Sequence, residues 1–157
     1  MSESNPTAVE AFIERMGLHA QGDGLPRIAG RMLGYFIVHG GPASLAELAR
    51  TLQVSRASVS TNARVLVNLG AIERTSVPGD RQDYYRLAQQ PYARILEGYL
   101  ERMRRTRVDV ARLEADLPED WAGARSRITE MRQFYDAALD NTERVLEALA
   151  QEEGKHR

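Results

Sequence analysis

Cysteine is absent from the 157 residues. Disulfides and thiolate metal sites are therefore excluded, and a reducing compartment is tolerated. Lysine is almost absent as well: Lys155 is the only one among 21 basic residues, a bias that a GC-rich genome explains without any functional reading. Net charge is lacking too, with 21 Lys+Arg against 22 Asp+Glu. That excludes a protein held to nucleic acid by bulk charge, but not one with a local basic surface. The longest apolar patch, MLGYFIV at 32–38, is far too short to span a bilayer. The opening MSESNPTAVEAF has neither a basic n-region nor an apolar h-region, so no signal peptide, no membrane partner and a cytoplasmic location are expected. The three histidines, His19, His39 and His156, have no metal-ligand spacing, and zinc is not expected. His39, beside Gly40-Gly41, suits a helix C-terminus better than a catalytic base. No glycine motif of the Walker or Rossmann type and no nucleophile motif is present. Neither an enzyme nor a cofactor is expected.

What the chain does contain is helical punctuation. Residues 1–6 are expected to be disordered. Thr7 and Glu10 have the spacing of a capping box, followed by Val9, Phe12, Ile13 and Met16 at helical intervals. QGDGLP reads as a turn, and Pro26 suits the first turn of a second helix that stops at His39-Gly40-Gly41-Pro42. Gly30 and Gly34, four apart, permit close approach of another element. Ser44 and Glu47 form a second capping box, and Ser55 offers a further N-cap. A short helix, a tight connection and a second capped helix suggest a helix-turn-helix. Gly70 is the expected C-cap. AIERTSV and DYYRL, joined by Pro78-Gly79-Asp80-Arg81, read as a two-stranded hairpin. The fold class expected is mainly α with a small β-hairpin wing.

From Pro91 a helix carries Tyr92, Leu96, Tyr99, Met103, Thr106, Val110, Leu113 and Leu117 at alternating spacings of four and three. Pro118 breaks it. Trp121, Ala124, Ile128, Met131, Tyr135, Ala138, Thr142, Val145 and Leu149 repeat the rhythm, predicting an antiparallel hairpin with apolar residues to spare. Trp121 is expected to pin its turn. The tail from Gln151 is expected to fray.

The segment SRASVSTNARVL (55–66) gathers more Ser, Thr and Asn than a packing helix needs. On a helical wheel Val59, Ala63, Leu66 and Leu69 share one arc, and Asn62 lies at its margin. Ala57, Thr61, Arg64 and Asn68 share the opposite arc, flanked by Ser60 and preceded by Arg56. Small side chains let a helix lie deep in the major groove, where hydroxyls and amides offer donors and acceptors. Arg64 can reach a guanine edge or a phosphate, and Ala57 a thymine methyl. Ser55, Ser60 and the helix N-terminus suit phosphate oxygens. The plain alternative is a solvated helix face, and Asn62 is expected to make a local hydrogen bond.

The hairpin bears on that choice. Asp80 can bind backbone amides at its tip, and Arg81 projects toward where a neighbouring minor groove would lie. The competing reading pairs Arg81 with Asp80 or Asp83. Tyr84 and Tyr85 must face opposite sides of their strand. Residues 54–87 hold five arginines (56, 64, 74, 81 and 86) against three acids (73, 80 and 83), a modestly basic patch.

Residues 40–87, GGPASLAELARTLQVSRASVSTNARVLVNLGAIERTSVPGDRQDYYRL, closely resemble the winged-helix domain of MarR-family transcriptional regulators, particularly the GbsR-like branch. The shared features are the helix-turn-helix, S-x-x-x-N-x-R at Ser58–Arg64, L-G-x-I/V at Leu69–Ile72 and the G-D/E-R…Y-Y wing. The likeness covers residues 25–90; the flanking helices match in arrangement only. It implies a homodimer bound to a pseudo-palindromic operator, usually a repressor released by a small molecule. The GbsR-like branch is associated with choline and osmoprotectant control, but no effector-binding motif is recognisable here, so that association is not carried over. Carried over, residues 55–68 correspond to the recognition helix and Asp80-Arg81 to the wing tip.

The expected organisation is a dimerising tail and helix at 1–24, a DNA-binding winged helix at 25–90 and a dimerising helical hairpin at 91–157. Double-stranded DNA, a second copy and an unidentified effector are the expected partners. Ser55, Arg56, Ala57, Ser58, Ser60, Thr61, Arg64, Asn68, Asp80 and Arg81 are the candidate contacts. A winged helix used as a protein-interaction adaptor is the rival reading. The aromatics Tyr35, Phe36, Tyr92, Tyr99, Trp121, Phe134 and Tyr135 could wall a pocket for a quaternary ammonium ion, but core and dimer interface are their expected places.

Overall fold

A computed structural model describes residues 6–155, and the chain divides into two compact units, Met1–Pro91 and Tyr92–Arg157. The disorder expected of residues 1–6 falls, apart from Pro6, outside the described residues. Pro6 opens the first helix, α1 (Pro6–Gly22). Thr7 therefore sits inside the helix and does not cap it; a proline is well placed at a first helical position, where no N–H is needed.

α2 (Arg27–His39) follows Pro26, which stands at its N-cap and not within its first turn. The two helices are in close contact because Gly30 and Gly34 lack side chains. A Cβ on Gly30 would lie 2.4 Å from the Met16 carbonyl oxygen, and one on Gly34 3.1 Å from Met16 Cβ. Arg31 fastens the same corner: Nε lies 2.6 Å from Glu14 Oε1 of α1, and Nη2 donates to the Leu52 carbonyl at 2.9 Å.

The short strand β1 (Ala43–Ser44) leads into α3 (Leu45–Leu52), whose capping box forms as expected. Glu47 N donates to Ser44 Oγ at 3.2 Å and Ser44 N to Glu47 Oε2 at 2.7 Å. The bond from the Ser44 amide foremost, and then the Ser44 hydroxyl beside the carboxyl, hold the Glu47 carboxyl below the usual carboxylate range. Gln53, left-handed at φ 53°, ends α3, and Ser55 caps α4 (Arg56–Asn68) by accepting the Ser58 amide at 3.1 Å. Two bonds close α4, Gly70 N to the Val67 carbonyl and Ala71 N to the Leu66 carbonyl at 3.0 Å. That arrangement needs positive φ at Gly70, which stands at 77°, one residue beyond the C-cap Leu69.

β2 (Ile72–Thr75) and β3 (Tyr84–Leu87) form the hairpin, but the sheet has three antiparallel strands in the order β1-β3-β2, not two. Ala43 and Ser44 stand opposite Tyr85 and Tyr84, a pairing too short for any alternation to announce. Met32, Phe36, Leu48, Leu52, Val59, Leu66 and Ile72 are fully buried and form the core of this unit.

The second unit holds α5 (Pro91–Asp116) and α6 (Ala122–Lys155). The described backbone stays helical through Lys155, where fraying was expected from Gln151; residues 156–157 lie outside the described residues. Of the expected seam on α5, Met103 and Val110 are buried together with Leu100, while Tyr92, Tyr99 and Leu113 stay exposed. No described side chain of α6 is buried. The two helices are joined instead by polar ties that run antiparallel. Arg104 meets Glu143 at 2.6 Å and Arg107 meets Asp136 at 2.8 Å. Glu114 accepts from Thr129 and from Arg132 Nε, both at 2.6 Å, and Arg132 reaches on to Asp136 at 2.8 Å. Trp121 is exposed and does not pin the turn; Arg125 does, donating to the carbonyls of Glu114 and Leu117. A guanidinium there satisfies the orphan carbonyls that end α5. Among the described residues, no helix is long and apolar enough to cross a membrane.

Candidate nucleic-acid interface

The wheel drawn from the sequence holds for α4. Val59 and Ala63 are completely buried, and so is Leu66; Leu69 is half-buried. Ala57, Thr61, Arg64 and Asn68 are exposed along the opposite side, with Ser55 and Arg56 exposed at its start. Ser58 and Ser60 are half-buried and stand at the margin of that face. Asn62 is buried, and its Nδ2 donates to the Ser58 carbonyl at 2.8 Å, the local bond expected of it. Ser55 Oγ is engaged as an acceptor in its cap, which leaves its hydroxyl hydrogen to donate outward.

At the wing tip Asp80 and Arg81 are both exposed. Asp80 Oδ1 accepts the Gln82 backbone amide at 2.9 Å, and Oδ2 accepts the Tyr84 hydroxyl at 2.8 Å. These two bonds, in that order, hold the Asp80 carboxyl below its usual range, and the same carboxylate pushes the Tyr84 phenol up. Tyr85, one residue on, is buried, so the two tyrosines face opposite sides as expected.

Charge pairing separates the five arginines of this region. Arg74 is paired with Asp83, and Arg86 with Glu73 at 2.7 Å. Arg56, Arg64 and Arg81 take part in no ion pair among the described residues. Of these five, the cations that singled themselves out by position are thus the ones without an ion pair among the described residues. The pairing of Arg81 with Asp80 or Asp83 is not observed, because both acids are occupied elsewhere.

Two features of this surface were missed in the sequence. Tyr84 was assigned only a side of its strand, and its bond to Asp80 depends on how the hairpin curls. Arg50, exposed on the last turn of α3, adds a further guanidinium without an ion pair among the described residues; a wheel drawn for α3 as well as α4 would have found it. A cavity of about 560 Å³ lies between α1, α2 and the end of α3, with Glu10, Glu14, Arg31 and His39 among its polar groups. None of the aromatics considered for a cation-binding pocket lines it. Phe36 alone of them is fully buried; Tyr92, Tyr99, Trp121 and Phe134 are exposed.

A family model for the MarR family matches residues 23–83, from the turn before α2 through the wing tip, ending one residue before β3. A solved crystal structure of a transcriptional regulator is 31% identical, covers 92% of this chain and 99% of its own, and superimposes with a TM-score of 0.79. The chain belongs to the MarR family of transcriptional regulators. It is also similar, at 43% identity over 94 residues, to the HTH-type transcriptional regulator MmpR5 of Mycobacterium tuberculosis; the match takes in 59% of this chain and 55% of that protein. The chain spans about half the length of the curated relatives it matches. The MarR-family match falls on the elements that carry the exposed face of α4 and the wing. It leaves α5 and α6 outside; the solved relative, which covers 92% of this chain, extends the likeness into them.

Proposed function

We propose that this MarR-family chain is a sequence-specific DNA-binding regulator that works as a homodimer, with residues 25–90 on DNA and residues 1–24 and 91–157 joining the copies. The observation that carries the DNA reading is the exposed face of α4, made of small polar side chains and flanked by the unpaired guanidiniums of Arg56, Arg64 and Arg81. α4 enters the major groove, where Ala57, Thr61, Arg64 and Asn68 meet base edges and Ser55, Arg56, Ser58 and Ser60 meet phosphates. Arg81, presented by Asp80, enters the adjoining minor groove, whose negative potential deepens where A·T tracts narrow it.

The dimer reading rests on α6, a 34-residue helix with no buried side chain among those described, whose Met131, Phe134 and Val145 remain exposed. A helix with an apolar stripe covers it against something, and a second copy supplies two recognition helices about 34 Å apart, one turn of DNA. Repression, with release by a small molecule, is the mode the family resemblance implies and belongs to the same proposal. The cavity beside α1 and α2 is large enough for a drug-sized ligand. Membership of the GbsR-like branch rests on the motif at 58–64 and the G-D-R wing.

Selection of bound fragments from genomic DNA, followed by fluorescence-anisotropy titration at several salt concentrations, tests this. An enriched palindrome is expected. Arg64→Ala should flatten preference at one base pair by about 1–3 kcal/mol, while Arg81→Ala should weaken binding chiefly at A·T-flanked sites. Wild-type behaviour of both variants would overturn the DNA-facing assignment, and the absence of any enriched sequence would favour the adaptor reading suggested by the near-neutral charge. Light scattering at micromolar concentration should return twice the 17.6 kDa of one chain.

A further inference from the structure

Tyr84 has a fixed foundation. It lies on β3, the central strand, opposite Ser44 of β1 on one side and Thr75 of β2 on the other. The loop beyond it has little to hold it. Across the tip a single backbone bond, Asp80 N to the Val77 carbonyl at 3.1 Å, closes the turn. The Arg74–Asp83 pair ties the base of the loop, and the constraint nearest the tip converges on one carboxylate, since Asp80 accepts the Gln82 backbone amide on Oδ1 and, on Oδ2, the Tyr84 hydroxyl at 2.8 Å and Gln82 Nε2 at 3.5 Å. Arg81 lies between the two residues that this carboxylate ties together.

Two consequences follow from that arrangement. The backbone on either side of Arg81 is fastened to the centre of the sheet, so the direction in which its side chain leaves the tip is set before any ligand arrives. In addition, both Asp80 oxygens are occupied, and Asp83 is occupied by Arg74. Both neighbouring acids thus face other donors, and neither is ion-paired with Arg81 among the described residues. The raised phenol and lowered carboxyl of this pair are what a hydrogen bond from a neutral phenol to an ionised carboxylate produces.

We propose that Tyr84 is a positioning residue of the wing: its hydroxyl, acting through Asp80, orients Arg81 and keeps it unpaired for a nucleic-acid phosphate or minor groove. The purpose rests on the DNA reading above; the brace itself does not. Tyr84→Phe removes only the hydroxyl. In the DNA-free full-length protein it should speed amide hydrogen exchange at Arg81 and Gln82 on the order of tenfold, leaving the buried amides of β3 unchanged. Unchanged exchange at the tip overturns the brace, whatever the protein binds.

Purpose is tested by a double-mutant cycle on the enriched DNA. Tyr84→Phe should raise Kd by roughly fivefold in the wild-type background, the loss of one charge-assisted bond shared with other constraints. In an Arg81→Ala background it should change Kd by less than about twofold, because nothing is left to position. Equal weakening in both backgrounds makes Tyr84 merely structural and overturns the assignment. If the wild-type chain enriches no DNA, the DNA reading and this purpose fall together, while exchange still decides whether the brace exists.

Discussion

Up to Pro91 the chain is held by side chains that share a dry interior: Phe36 and Met32 from α2, Leu48 and Leu52 from α3, Val59 and Leu66 from α4 and Ile72 from β2. From Tyr92 onward Leu100, Met103 and Val110 are the buried apolar side chains among those described, none lies on α6, and guanidinium–carboxylate pairs run between α5 and α6. Burial of apolar surface stabilises at roughly 25 cal/mol per Å² whatever its direction. Exposed ion pairs gain little over water, and salt screens them. The first unit thus carries its own stability. The second has its geometry prescribed but fewer buried apolar side chains to sustain it, a lack that the proposed dimer would make good.

Truncation of the dry core should have the largest effect. Phe36→Ala should cost about 3–5 kcal/mol and lower the melting temperature by roughly 10 °C, followed by circular dichroism at fixed protein concentration. Loss of a local bond comes next: Ser44→Ala removes the capping oxygen of α3 and should cost about 1 kcal/mol, read from the denaturation midpoint with an unchanged slope. A core variant that cost no more than this cap variant would erase the contrast between the units.

The smallest effect belongs to the second unit. Arg132→Met should lower the melting temperature by less than the cap variant does, and the difference should shrink in 1 M NaCl. It should also depend on pH in one direction. Bonds from Thr129 and then Arg132 hold the Glu114 carboxyl below its usual range, and those from Arg107 and then Arg132 do the same for Asp136. Carboxyls lowered in the folded state contribute stability that is fully present above their unfolded values, about 4, and is lost as pH falls through the lower folded ones. Wild type and Arg132→Met should therefore differ at pH 7 and converge in acid. A difference that survived high salt and low pH would mean that Arg132 acts through packing of its stem.

Features legible in the sequence were those a residue makes with near neighbours or with a whole helix face. The Ser44–Glu47 box, the Ser55 cap and the Asn62 bond to Ser58 lie within four positions of their partners, and helical spacing alone specifies them. The two faces of α4 follow from its period, and Gly30 and Gly34 announced a close approach without naming α1. The unread features depend on partners distant in the chain. The third strand is two residues long and exists only because β3 passes beside it. Arg31 bridges Glu14 and Leu52, and no spacing rule connects the three. The seam on α5 was legible in part: Met103 and Val110 are buried while Tyr92, Tyr99 and Leu113 are exposed, because a three-four rhythm shows that a stripe is apolar but not how much of it is covered.

The polar ties of the second unit also count residues. Arg125 is anchored at the end of α5, and further along α6 Arg132, Asp136 and Glu143 each meet a different partner in turn. Sliding α6 by one residue would carry every partner about 1.5 Å along and about 100° around the helix, breaking all the matches at once. An apolar stripe would accept a slip of about seven residues, which brings it back to nearly the same face, since one aliphatic contact resembles another; these charged partners would not. The ladder therefore selects a single alignment of two long helices while adding little to the strength with which they are held.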